Sequence, residues 1–317
     1  MRQDSALAPA AAPPVSPSAR VHRRGSLRFL LLVPALAILS GLLIVPLSIM
    51  LVYSFLTPAT FGGVIWEFSL GAYLQFLFER DIFDDSLTVT TAYLGIFARS
   101  FVQALVATLG CLVIGLPTAY FMATRPPEQR NLWVFLITVP YWVNLLIRTL
   151  AMLFLIRDEG PLNAFLLWLG VIERPLTIAY TPYAIAIGLI YSYLPFMVLP
   201  IYATIERFDF RLIEAAYDLY AGRWTVFRRV ILPLAAPGIV AGCLLVFIPS
   251  LGAFIAPDIL GGGRNLMIGN MIALQFGSSR NWPFGAAAAV ILMSMVLIAL
   301  TLYARAQISD AGPVRHG

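Results

Sequence analysis

Six apolar runs, each long enough to form a helix across a hydrocarbon layer, leave this chain little choice of fold. They lie near Phe29 to Phe55, Ser100 to Ala123, Leu132 to Ile156, Tyr180 to Thr204, Ala235 to Ile259 and Phe284 to Ala304. A hydrocarbon core about 30 Å thick takes about 20 helical residues to cross, and inside it each backbone amide must find its partner within the segment. The expectation is an all-α integral membrane protein with six transmembrane helices. A mean hydropathy of +0.85 and only 12% charged residues leave no soluble alternative of this length. Pro117, Pro140, Pro195, Pro200 and Pro249 interrupt the runs, which predicts kinked helices packed around a pathway.

The net charge of +5 comes from arginines scattered among short loops, and no contiguous basic face for nucleic acid results. Arg20, Arg23, Arg24, Arg28, Arg125, Arg130, Arg207, Arg211, Arg223, Arg228, Arg229, Arg305 and Arg315 fall on one side of the spans, whereas the other holds Glu67, Glu79, Asp81, Asp84, Asp85, Asp158, Glu159 and Glu173 against Arg80, Arg157, Arg174, Arg264 and Arg280. Positive charge collects inside, which places the amino terminus in the cytoplasm. The chain has no lysine, so it cannot hold a phosphate-binding loop with its Gly-Lys-Ser/Thr. Its two histidines, His22 and His316, lie in polar tails, and no carboxylate pair lies in the spans, which argues against metal binding and an intramembrane enzyme. Cys111 and Cys243 sit in apolar runs and read as small hydrophobes. Residues 1–28, rich in Ala, Pro and Ser, read as a disordered tail; a cleaved signal peptide is the competing reading, but the following run exceeds a signal core of about 15 residues. Residues 29–98 hold the first span and an outer segment of short non-spanning elements, and 306–317 form a second cytoplasmic tail.

Between the fourth and fifth spans lies a charged island, residues 205–234. Acids and arginines alternate there, while Leu212, Ile213, Ala215, Ala216 and Leu219 make an apolar stripe at helical spacing. Glu214-Ala215-Ala216, a short turn and Leu232-Pro233 resemble the cytoplasmic loop of permease subunits in binding-protein-dependent ABC importers. The resemblance implies a methionine-importer-like transmembrane core over residues 99–305 and short coupling helices that dock on a separate ATPase. Glu214, Ala215, Ala216, Tyr220, Gly222, Leu232 and Pro233 are the residues it assigns to that contact. The family has Gly six residues after the Glu, whereas Tyr220 stands there in this chain, with Gly222 two residues on; a turn displaced to Gly222 is the expectation. A solvated basic linker is the rival reading of the arginines.

Gly261-Gly262-Gly263-Arg264-Asn265, a Gly-Gly-x-x-Asn turn, Ile268-Gly269-Asn270 and Trp282-Pro283-Phe284-Gly285-Ala286-Ala287 are similar to the spermidine/putrescine branch of that family, as is the stretch from Tyr191 to Tyr202. This resemblance implies import of polyamines, a second homologous permease subunit, two ATPase subunits that bind ATP and Mg, a periplasmic or lipid-anchored solute-binding protein, and no cofactor on this chain. Asn144, Arg148, Tyr191, Tyr193, Ser250, Phe254 and Asp258 are candidates for the pathway. Aromatic faces suit ammonium groups at about 0.5 to 2 kcal/mol each, and a charge such as Arg148 within a span faces a cavity or a partner. Competing readings are Arg148 snorkelling towards Asp158 or Glu159, Asp258 capping the Gly turn, and the aromatics serving as packing. Import of an opine, an aminophosphonate or ferric iron is the alternative within the class. An ion-coupled secondary transporter lies outside it and would carry an acid near mid-membrane.

Overall fold

The structure, a computed structural model, describes residues 21–80 and 87–310. The expectations for residues 1–20, for Asp81, Asp84 and Asp85, and for 311–317 lie outside them. The chain divides into two compact units, residues 1–52 and 53–317.

In the first unit, helix α1 (Val21–Tyr53) contains a stretch from Val33 that is long and apolar enough to cross a membrane. It starts at Val21, ahead of Phe29, so that residues 21–28, read from the sequence as part of a disordered tail, are helical.

The second unit opens with the outer segment. Here the sequence suggested only unspecified short elements, and the structure has two small antiparallel hairpins, β1 (Leu56–Pro58) with β2 (Val64–Phe68) and β3 (Phe78–Arg80) with β4 (Leu87–Val89). The single-turn α2 (Gly71–Leu74) lies between them. The rest is helical: α3 (Ala92–Ala123), α4 (Pro127–Thr138), α5 (Leu145–Ile156), α6 (Pro161–Trp168), α7 (Pro182–Ile205), α8 (Arg211–Asp218), α9 (Arg223–Val226), α10 (Leu232–Leu251), α11 (Ile255–Gly261), α12 (Ile268–Phe276) and α13 (Trp282–Asp310). Five helices of the described residues are long and apolar enough to span, or up to six when a bent pair is taken as one span.

That bent pair is the third predicted span, which is not one helix. It breaks by 93° between α4 and α5. Pro140 lies in a single 3-10 turn, Val139–Trp142, and Val143 is extended, so the ladder of backbone bonds stops there. Asn144 restarts it: its side-chain oxygen accepts from the Leu146 amide at 2.8 Å, a cap for the first turn of α5. A break of this kind is tolerated at membrane depth where the backbone is buried in protein or lines a cavity.

The core is the packing of α3, α7 and α10, with Ala119, Met122, Met197, Ile201, Ala235 and Val246 fully or almost fully buried among them. Lipid tails are as apolar as leucine, so helices in a membrane associate through close fit, and small residues permit it. Gly238 and Gly242, one turn apart on α10, lie against the Pro200 and Met197 backbone of α7. A side chain at Gly242 would come within 3.1 Å of the Met197 carbonyl oxygen.

Between α9 and α10 the residues Phe227–Ile231 form a π-helical turn, so Arg223 to Leu251 is one continuous helical path. The second half of the charged island is therefore the start of the fifth span. Leu232 and Pro233 stand at its transition to α10, where proline, having no amide, cannot continue the ladder of the preceding turn.

Candidate functional site

The charged island folds as a helix, a turn and a helix with its own small core. Ile213, Val226 and Ile231 are buried there, with Ala216, Phe210 and the α3 residue Tyr120 packed around them. The predicted apolar stripe is thus divided. Ile213 and Ala216 are used at home, whereas Leu212, Ala215 and Leu219 stay exposed, with Leu219 82% accessible. Glu214 is exposed in the first turn of α8, where a carboxylate suits the positive end of the helix dipole.

The turn itself corrects the sequence reading. Gly222 has φ of −67° and caps the start of α9 in extended conformation, so it carries no displaced turn. Tyr220 takes the left-handed conformation itself, with φ of 57°. Its amide donates to the Tyr217 carbonyl at 2.9 Å, and the Ala221 amide donates to the Ala216 carbonyl at 3.1 Å. These two bonds form a Schellman closure, which satisfies carbonyls left over at the end of α8. The closure fixes the backbone geometry whatever residue fills it. Tyrosine therefore occupies the glycine position at a cost of about 1 to 2 kcal/mol, and its side chain is 99% exposed.

Sequence reasoning missed what anchors the island. Glu206, just after α7, accepts from the Tyr202 hydroxyl at 2.8 Å and faces the Arg130 guanidinium of α4 at 3.5 Å. Arg130 in turn donates from Nε to the Arg125 carbonyl at 2.6 Å. The spacing of Tyr202 and Glu206, one helical turn, was the available signal.

The pathway candidates do not form one site. Tyr191 and Tyr193 are two residues apart on α7 and so face different sides. Tyr193 and Phe254 line a cavity of about 180 Å³ together with Ser192, Pro249 and Gly252. The Tyr193 hydroxyl donates to the Pro249 carbonyl at 3.4 Å, one of the carbonyls that the end of α10 leaves without a helical partner. Tyr191 and Arg148 line a separate cavity of about 330 Å³. Arg148 is 7% exposed and donates to the Pro140 carbonyl at 3.3 Å. Its guanidinium carbon lies 5.1 Å from the Tyr141 ring centroid and 5.9 Å from that of Tyr191. It does not snorkel to Asp158 or Glu159: among the described residues it has no ion pair, and its Nε has no hydrogen-bond partner.

Ser250 is fully buried and donates to the Val246 carbonyl at 2.6 Å, which turns it away from both cavities. Asp258 is exposed on α11, and no described hydrogen bond uses its carboxylate, so it does not cap the Gly turn. That turn is made by Gly262, at φ of 58°, with Tyr180 packed where a Cβ would stand. Asn270 is 4% exposed and its amide donates to the Phe254 carbonyl at 2.8 Å, tying α12 to the second of the cavity's aromatic walls.

Comparison with known proteins adds to this geometry. A family model described as the binding-protein-dependent transport system inner membrane component matches residues 115–310. The spermidine/putrescine transport system permease protein PotB of Escherichia coli (strain K12) is 49% identical over 214 residues, 68% of this chain and 78% of that protein. Its counterpart in Haemophilus influenzae is 46% identical over 201 residues, 63% and 70% of the two chains. Among solved structures, a chain of a bacterial ABC transporter involved in the import of the acidic polysaccharide alginate has a similar fold. The TM-score is 0.62 at 16% identity, covering 89% of this chain and 96% of that one.

Proposed function

This chain belongs to the binding-protein-dependent transport system inner membrane components, and from that premise we propose that it carries polyamines such as spermidine and putrescine into the cytoplasm. It is an ABC importer permease, a multi-pass inner-membrane subunit and not an enzyme, and it works with an ATPase and a solute-binding protein. The observation that carries the polyamine reading is the 49% identity to a spermidine/putrescine permease across 68% of the chain.

In this reading residues 99–305 form the permease core beside a second homologous permease, and two ATPase subunits hold ATP and Mg. The 205–234 island is cytoplasmic, in keeping with the arginine asymmetry. Exposed Glu214, Ala215, Leu219 and Tyr220 form the contact with an ATPase, because Ile213 and Ala216 already hold the island to its own core. Closure of the ATPase pair moves the island, and the two permeases alternate between inward-facing and outward-facing states. The cavity between Tyr193 and Phe254 suits an ammonium group, which both ring faces and the Ser192 side would receive. Asp258, exposed on α11, attracts the same cargo. The Arg148 guanidinium itself is turned to two tyrosine rings and the Pro140 carbonyl, in the separate cavity that Tyr191 lines.

The test is uptake of labelled putrescine by proteoliposomes holding the assembled transporter, with ATP enclosed and with competing opine, aminophosphonate or ferric iron outside. ATP-dependent uptake displaced only by polyamines is expected. Displacement by one of the other solutes, or uptake that a protonophore abolishes at constant ATP, overturns the reading.

A further inference from the structure

A cavity of about 600 Å³ lies between the middle of α3 and the charged island, apart from the two cavities along α7. Its walls are Leu112, Leu116 and Pro117 from α3 with Phe227 and Ile231 from the π-helical turn. Its polar residues are Tyr120, at the island end of α3, and Tyr217 and Arg223 of the island itself. Val113 lines the cavity and is 73% exposed, so the space opens on the outer face of α3. An apolar trough along a membrane helix with hydroxyls and a cation at its island end has the chemical layout of one molecule, a lipid with an anionic headgroup.

The charge on the island strengthens this. Arg223, Arg228 and Arg229 are exposed, and among the described residues none of them has an ion pair. Basic groups at that depth attract anionic headgroups by about 1 kcal/mol each, while the volume falls within the range of about 300 to 1,000 Å³ usual for small-molecule sites. The π-helical turn is the second observation. Such turns are rare, each breaks the regular ladder, and they recur at functional sites; this one supplies two walls of the cavity.

We propose that this cavity binds one anionic phospholipid, its acyl chain along Leu112, Leu116, Phe227 and Ile231 and its phosphate at Arg223. The lipid thereby joins α3 to the helical turn through which the island continues into α10. The proposal rests on α3 being a membrane span and does not depend on the transported solute.

The assembled transporter, purified and equilibrated with equal phosphatidylglycerol and phosphatidylcholine, is analysed by native mass spectrometry for retained lipid. Wild type should retain phosphatidylglycerol in preference, and Arg223→Gln should reduce that preference about fivefold, the loss of one interfacial cation. Val113→Trp, at the exposed rim, should lower retention of both lipids, and Leu116→Phe provides the same obstruction from a half-buried wall should the first variant fail to assemble. Equal retention of the two lipids by wild type overturns the anionic assignment. Retention unchanged in whichever filled variant assembles, or a crosslink from Val113→Cys to the second permease, overturns the site itself. The readout is bound lipid, so a failure here is separate from any failure of polyamine uptake.

Discussion

Gly238 of α10 lies over the Pro200 carbonyl of α7 so closely that a Cβ added to it would stand 2.7 Å from that oxygen and 2.9 Å from the Thr204 Cβ. The oxygen is already engaged, since the Thr204 hydroxyl donates to it at 2.9 Å. Neither backbone nor a hydrogen-bonded side chain can step aside without breaking something. Gly238→Val should therefore destabilise the helix pair by about 1 to 3 kcal/mol, the usual cost of overpacking. Gly95, with nothing within 4 Å of its Cβ position, is the control: Gly95→Ala should be neutral or slightly stabilising. Thermal melting of the purified transporter distinguishes them, and equal melting points would remove close packing as the reason for Gly238.

Tyr220 holds a left-handed backbone conformation with its ring in solvent. Tyr220→Gly should relieve about 1 kcal/mol of strain and slow amide exchange at Ala221. If the exposed ring contacts the ATPase, the same change should weaken the complex. Slower exchange together with weaker ATPase binding is the expected outcome, whereas faster exchange would show that the turn has no strain to release.

Glu214 has no described side-chain partner in this chain, so its removal should leave the permease folded. Glu214→Ala should leave yield unchanged and lower melting only slightly, through the lost helix-dipole interaction, while reducing solute-stimulated ATP hydrolysis about tenfold, the effect of one contact worth about 1.4 kcal/mol. Normal stimulation in proteoliposomes would show that the contact lies elsewhere.

Arg148 tests how the broken span is held. Arg148→Gln loses both ring contacts and should lower stability by about 1 to 3 kcal/mol. Arg148→Lys keeps the charge but loses the planar group that lies against Tyr141 and Tyr191, and should recover only part of it. Full recovery by lysine, read from melting curves, would mean that charge alone matters at that position.

The spans were legible because a membrane imposes one length and one composition, and the island was legible because charge interrupts that pattern. Pro140 was visible in the sequence, but whether a proline bends a span or breaks it depends on the cap that follows, and Asn144 supplies one at a distance no periodicity reveals. Tyr220 failed as a signal for the opposite reason. Composition says that tyrosine avoids left-handed backbone, yet the two closing hydrogen bonds of α8 determine the conformation and the residue accepts the strain. Tyr191 and Tyr193 were both pathway candidates in the sequence, and only the rotation along α7 assigns them to different cavities.

The π-helical turn at Phe227–Ile231 has a mechanical corollary. With 29 residues from Arg223 to Leu251, the rod is about 43 Å long, and its far end supplies the Pro249 carbonyl that Tyr193 grips. A tug on the arginine end has no slack loop in which to dissipate, and the one soft joint along its first third is the wider turn, where the ladder is already irregular. On the proposed coupling, motion fed in at the island would reach the tyrosine-lined chamber as tilt rather than as stretch.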